Sequence, residues 1–190
     1  AILPNDTSEI VTGSLQKPDA SLQSLVAEPG SVASTAEMPP TEIGNQALRA
    51  AARDGNASAQ FIVATRFLDG NGVEADVTSA ARWYQKAANG GLAPAQYRLA
   101  TLFERGRGVP KDPATAFVWY KRAAEQGNVK SMHNVAVLAA GNEVSAPNYE
   151  LAHKWFLAAS QHGLKDSEFN LALLYERGLG TQKNPSEALF

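Results

Sequence analysis

The chain repeats itself every 36 residues from Ala51 to its end. We divide it into units one to four, residues 51–86, 87–122, 123–158 and 159–190, the last of which is truncated. Glycine recurs at one position in all four units: Gly55, Gly91, Gly127 and Gly163. A fixed period of this length is typical of solenoid proteins, in which each unit packs only against its neighbours.

Two helices are predicted in each unit. In the first, apolar residues follow i, i+4, i+5, i+8, the pattern of one helix face; they are Ala59, Val63, Ala64 and Phe67 in unit one. In the second they follow i, i+3, i+4, i+7, at Ala80, Trp83, Tyr84 and Ala87. Glycine pairs between the helices predict tight turns. The predicted fold is all-α, an α/α superhelical solenoid of helical hairpins.

The tryptophans recur at the same helical phase, at Trp83, Trp119 and Trp155. We predict that they fill the gaps between hairpins, because large aromatics at helical spacing are more often core than a sugar-stacking platform.

Asp112-Pro113 predicts a helix start, with a side-chain cap followed by proline at the first helical position.

Unit three departs from the pattern. It has "AAGNEVSAPNYE" where the others have a G-x-G turn, and His133 where they have Phe or Tyr. We expect its first helix to end differently. Unit four stops at Phe190, before its expected Trp, so we interpret the chain as a piece of a longer protein.

The entrance, "EIGNQALRAAAR" at 42–53, predicts a lone second helix from a degenerate preceding unit. Ala47 stands where the Trp would be. We expect a cap on the first repeat made by Ala47, Leu48, Ala51 and Ala52.

Residues 1–44 are predicted to be an acidic low-complexity linker, mostly irregular, before a solenoid over 45–190. The segment holds six acidic residues, one basic residue and five of the ten prolines, while every aromatic residue lies at or after Phe61. Such a composition buries too little apolar surface to offset its ordering entropy. Within it, Asp19–Glu28 carries Leu22, Leu25 and Val26. This patch is either part of a disordered tail or a short helix that docks on an apolar end of the solenoid.

Composition and motifs exclude several functions. The net charge of −2 gives no overall attraction to nucleic acid, and no run approaches the ~20 apolar residues of a membrane span. The absence of cysteine excludes disulfides and thiolate metal sites. The three histidines lack metal-ligand spacing, and "ERGRGV" lacks the Lys-Ser/Thr of a phosphate loop. We therefore predict no catalytic, cofactor or metal site.

The chain resembles the Sel-1-like repeat family, relatives of the tetratricopeptide repeat, over residues 51–190. The elements that carry the resemblance are G-x-G-V, Asp-Pro, Trp-Tyr and Ala-Ala-x-x-Gly, in that order. The order of units and the acidic linker are similar to the periplasmic part of alphaproteobacterial polar localisation factors. That similarity implies a periplasmic adaptor in cell-pole organisation, whose full-length protein is anchored in the inner membrane.

A solenoid offers a groove lined by its first helices, which suits an extended peptide or a partner helix. We therefore predict a protein or peptide partner and no enzymatic activity. The candidate partner-binding residues are the outward positions Ile62, Arg66, Arg98, Thr101, Asn134 and Asn170. The alternative is a peptidoglycan-binding or cell-wall-acting module. A β-lactam-acting enzyme is disfavoured, because such members of the family carry cysteine pairs.

Overall fold

Helices that pack in sequence build the fold. The computed structural model describes residues 37–184 and residue 186. Over this range the chain forms one 3-10 helix, Thr41–Ile43, and no strand. The α-helices are α1 (Gln46–Arg53), α2 (Ala57–Asp69), α3 (Val77–Asn89), α4 (Ala93–Arg105), α5 (Pro113–Glu125), α6 (Val129–Ala140), α7 (Tyr149–Gln161) and α8 (Lys165–Arg177). Each helix packs against the next, which confirms the predicted all-α solenoid of helical hairpins.

Side-chain caps start most of the helices. Asp112 accepts a hydrogen bond from the backbone N–H of Thr115 at 3.1 Å, and Pro113 follows as the first helical residue, as predicted. Asn56, Asp76 and Asn128 cap α2, α3 and α6 in the same way. Each cap satisfies a backbone donor that has no partner inside the helix.

The G-x-G turns bring neighbouring units into backbone contact. The second glycine of the turn after α4, Gly108, has φ +71°, a conformation that favours glycine. A Cβ atom at Gly108 would lie 2.5 Å from the carbonyl oxygen of Val77, the first residue of α3. Glycine is therefore needed here both for its backbone angle and for the close approach of the previous hairpin.

Unit three ends its first helix differently, as predicted. Its helix α6 has 12 residues where α4 has 13, and Gly141 follows in an extended conformation with φ −82°. Val144 occupies the position of Gly108. The loop of unit three therefore has no glycine at the position where the loop of unit two lies against the first residue of α3.

The tryptophans are core residues, as predicted. Trp83, Trp119 and Trp155 are 1%, 0% and 9% exposed. Small first-helix residues at the same depth, Ala64 and Ala100, are fully buried, which allows the second helix to approach closely.

The predicted entrance cap needs one correction. Ala47 is exposed, while Leu48 and Ala51 are half-buried and Ala52 is buried. A methyl group at position 47 is too small to replace an indole. Ile43 of the 3-10 helix, which contacts α1 and α2, is fully buried in the entrance.

Residues just before α1 also pack on the solenoid. Pro39 is buried, and its carbonyl accepts a hydrogen bond from Arg49 Nε at 2.8 Å. Glu37 forms an ion pair with Lys86 at 2.8 Å. The packed structure thus includes part of the segment expected to be linker. The Asp19–Glu28 patch lies outside the described residues.

Candidate functional site

The first helices share one outward surface, which we call the first-helix face. It consists of two rows whose members are 36 residues apart: Ile62, Arg98, Asn134 and Asn170 in the first row, and Thr65, Thr101, Val137 and Leu173 in the second. Residues three apart are neighbours on a helix surface, so the two rows run side by side across α2, α4, α6 and α8. Every member is at least partly exposed.

Five of the six candidate partner residues lie in these rows. Ile62 and Arg98 are exposed, and Thr101, Asn134 and Asn170 are half-buried. The sixth, Arg66, lies one position further along α2, where its Nη1 donates to the carbonyl oxygen of Ile43. Arg66 therefore holds the entrance segment against the solenoid.

Buried aromatic residues from the second helices form the floor of the face. We call each pairing of a second-row residue with such an aromatic a level. At level one the hydroxyls of Thr65 and Tyr84 are 2.9 Å apart, and the ring of Phe61 packs on Tyr84 with centroids 5.4 Å apart. Burial raises the pKa of Tyr84, so the phenol stays neutral.

Level two repeats this arrangement and adds a carboxylate. Tyr120 donates its phenolic hydrogen to Glu104 Oε2 at 2.7 Å, and its oxygen lies 3.1 Å from the hydroxyl of Thr101. Thr101 in turn donates to the backbone carbonyl of Tyr97 at 3.0 Å. Burial is the main cause of a raised pKa at Tyr120, with Glu104 adding to it. The hydroxyl of Thr101 is thus already engaged within the fold.

Level three is apolar. Val137 and Phe156 stand where Thr101 and Tyr120 stand one unit earlier, so both hydroxyls are missing. Ala140 and Gly141 replace Glu104 and Arg105, so two large side chains are missing as well.

A pocket of about 330 Å³ opens at level three. Most of its lining residues are apolar, and Tyr149, Asn170 and Arg177 carry polar groups. The complete lining is Val137, Ala140, Gly141, Tyr149, Phe156, Asn170, Leu173, Leu174, Arg177 and Leu179. It therefore combines an apolar interior with hydrogen-bond donors.

The sequence analysis missed this pocket and the hydroxyl pairs. Helical phase predicts a buried ring for Tyr84, which is correct, but it says nothing of the hydroxyl group. A usable signal existed: both Thr-Tyr pairs are separated by 19 residues, and the same separation in unit three joins Val137 to Phe156.

His133 has a structural position. It packs edge-on against Phe156 with centroids 5.6 Å apart, and its Nδ1 lies 2.8 Å from the hydroxyl of Ser167. Burial lowers its pKa, with Asp166 acting in the opposite direction.

Over residues 37–184 and 186, no group of three His, Cys, Asp or Glu side chains is placed to hold a metal ion. None of the helices in this range combines the length and hydrophobicity needed to cross a bilayer.

Comparisons with solved structures match the solenoid. A Sel1 repeat protein from Oxalobacter formigenes aligns with a TM-score of 0.68 and 33% identity, over 72% of this chain and 56% of that one. The protein c5321 of uropathogenic Escherichia coli, described as a protective antigen with an SLR fold, aligns with the same TM-score and identity, over 72% of this chain and 29% of that one. The chain thus spans about half of one relative and less than a third of the other. A search of curated proteins gave no match.

The family model for the Sel1 repeat matches residues 57–92, 93–128, 129–164 and 165–190. Its matches have the 36-residue period seen in the sequence, counted from the start of each first helix. Sel1-repeat proteins are generally non-catalytic and commonly serve as protein-interaction scaffolds. On this match and these structures, the chain belongs to the Sel1 repeat family.

Proposed function

We propose that this chain is a non-catalytic scaffold that binds a protein or peptide partner along its first-helix face. The observation that supports the proposal is the continuity of the face: four successive first helices present residues of the same two rows. Arg98, Asn134 and Asn170 offer side-chain donors to backbone carbonyls or carboxylates of an extended segment. Neither row contains an acidic residue.

Site-specific photo-crosslinking in cells tests this function. A photoreactive residue at Asn134 should form a covalent adduct with a discrete partner protein. The matched control is the same residue at Lys121, which is half exposed and lies on the second helix α5. Equal labelling from both positions, or no adduct from any position on the first-helix face, would contradict the proposal.

The cellular setting is the second part of the proposal: a periplasmic adaptor in cell-pole organisation. It is supported by the order of the repeat units and by the acidic linker, both of which are similar to those of polar localisation factors. Protease treatment of spheroplasts tests the compartment, since a periplasmic chain should be degraded while a cytoplasmic marker survives. Survival of the chain under these conditions would refute the periplasmic assignment, and loss of the gene with normal polar markers would refute the polar role.

Peptidoglycan is the alternative partner, and the burial of the tryptophans argues against an indole platform for sugar rings. Sedimentation with purified peptidoglycan separates the two functions. The scaffold proposal expects the chain to stay in the supernatant, and specific pelleting would favour the wall-binding alternative.

A further inference from the structure

The level-three pocket is a local departure in a repetitive surface, and the departure has two independent components. The first is size. At the register of Ala140 and Gly141, unit one carries Leu68 and Asp69, and unit two also carries large side chains there. The pocket therefore opens where side-chain volume has been removed.

The second component is polarity. Val137 is 43% exposed and Phe156 lies behind it, almost fully buried. At levels one and two the threonine and tyrosine hydroxyl oxygens lie 2.9 and 3.1 Å apart, whereas Val137 and Phe156 carry no hydroxyl at level three and present hydrocarbon to a bound group. Burying an apolar group there removes both its own surface and that of Val137 from water.

One positive charge and one neutral amide border the pocket. Arg177 is exposed and Asn170 is half-buried, and both line it. Arginine recognises carboxylates through paired, charge-assisted hydrogen bonds. A pocket of about 330 Å³ is at the small end of the ~300–1,000 Å³ range of ligand sites and is large enough for any single apolar side chain.

We propose that this pocket selects the partner: it takes one apolar side chain of an extended peptide that carries a carboxylate beside that residue. The apolar side chain packs on Val137, Phe156 and Leu173, and the carboxylate pairs with Arg177. The remaining donors of the first row, Arg98 and Asn134, hold the backbone on either side. This inference rests on the proposed scaffold function and names the chemistry of its partner.

A library of random displayed peptides, selected for binding to the full 190-residue chain, tests the inference. Enriched sequences should share an apolar residue such as Leu, Ile, Met or Phe with Asp or Glu next to it. An apolar residue enriched at the C-terminus instead would identify the terminal carboxylate as the group bound by Arg177. Amidation of that terminus should then abolish binding.

Substitutions copied from other units supply the variants. Ala140→Leu restores the unit-one side chain and fills the pocket. The pair Val137→Thr and Phe156→Tyr introduces the two hydroxyls of the other units with little change in the size of the pocket. Each should weaken an enriched peptide by about tenfold or more, because burial of one apolar side chain supplies at least that much affinity. Gly141→Arg is a second filling variant, since a Cβ there meets nothing closer than 3.4 Å.

Charge and position are tested separately. Arg177→Gln should weaken peptides with a carboxylate and leave an amide-containing analogue unchanged. Arg98→Ala should weaken every peptide by a smaller factor. Far-UV circular dichroism verifies that each variant is folded.

The results distinguish two failures. Peptides that depend on Arg98 but are indifferent to Ala140→Leu and Gly141→Arg would overturn the pocket and leave the scaffold function intact. Enrichment of no peptide would overturn both. If deletion of residues 1–36 made peptide binding at least tenfold tighter, the chain's own acidic linker would be the occupant of the pocket. That result would overturn the assignment to an outside partner.

Discussion

Levels two and three of the first-helix face occupy equivalent places in successive hairpins and have opposite chemistry. At level two, Tyr120 donates to Glu104 at 2.7 Å, and its oxygen lies 3.1 Å from the hydroxyl of Thr101. At level three, Val137 and Phe156 form an apolar wall beside a pocket. The backbone solenoid is conserved across this difference. A repeat can thus keep its stacking residues and change its surface chemistry one unit at a time.

The largest expected effect is the loss of a buried tryptophan, which tests whether levels two and three depend on the same packed core. Trp119→Ala should lower the free energy of unfolding by about 3–5 kcal/mol, because a fully buried indole is replaced by a cavity. Trp155→Ala in unit three should act in the same direction. Urea denaturation measures both. The control Ile62→Ala, on an exposed residue, should stay within about 0.5 kcal/mol. If Trp119→Ala left the free energy of unfolding unchanged, the assignment of Trp119 to the packed core would be wrong.

The inter-unit turn gives the next effect. Gly108→Ala should cost about 2–4 kcal/mol, since it combines a positive φ with a Cβ placed 2.5 Å from a backbone oxygen. Gly127→Ala is the matched control, because its φ is +88° and nothing lies within 4 Å of the added Cβ. It should cost about 1 kcal/mol. Equal losses in thermal denaturation would show that the contact with Val77 is unimportant.

Conversion of level two into level three tests the hydroxyl network. Tyr120→Phe alone should cost about 1–2 kcal/mol, because Glu104 loses its phenolic donor and Thr101 loses the neighbouring hydroxyl. The pair Thr101→Val and Tyr120→Phe should cost less than the sum of the single changes, since it reproduces the apolar pair that unit three already carries. A double-mutant cycle in urea measures the coupling. Strict additivity would mean that the two hydroxyls do not interact in solution.

The smallest effect concerns pH. The pKa of His133 in the folded chain lies below 6.5, its ordinary value, so the unfolded chain takes up this proton first as pH falls. The free energy of unfolding should therefore be highest above about pH 6.5 and decrease as pH falls toward the folded pKa. His133→Phe, which copies Phe61, should reduce that slope. His153, whose pKa is also lowered by burial, should keep the remainder. An unchanged slope in His133→Phe would exclude His133 as its source.

Spacing and turn chemistry were sufficient to predict the helices, their stacking and the burial of the tryptophans. The 36-residue register also placed Arg98, Asn134 and Asn170 on one row, because helical phase decides which residues share a face. Ala47 shows the limit of this reasoning. The register assigns it the place of a tryptophan, but a methyl group cannot make an indole's contacts and Ala47 is exposed, while Ile43, outside the repeat, is fully buried.

By itself the sequence determined the periodic part of this protein, since every unit must bury the same stripe and can do so only against the next. Only the tertiary structure decided what each unit presents on the first-helix face. Whether a hydroxyl finds a partner, as in Tyr120 with Glu104, or a missing side chain leaves a pocket, as at Gly141, depends on distances between separate helices. Those distances are set by packing, and no single helix encodes them.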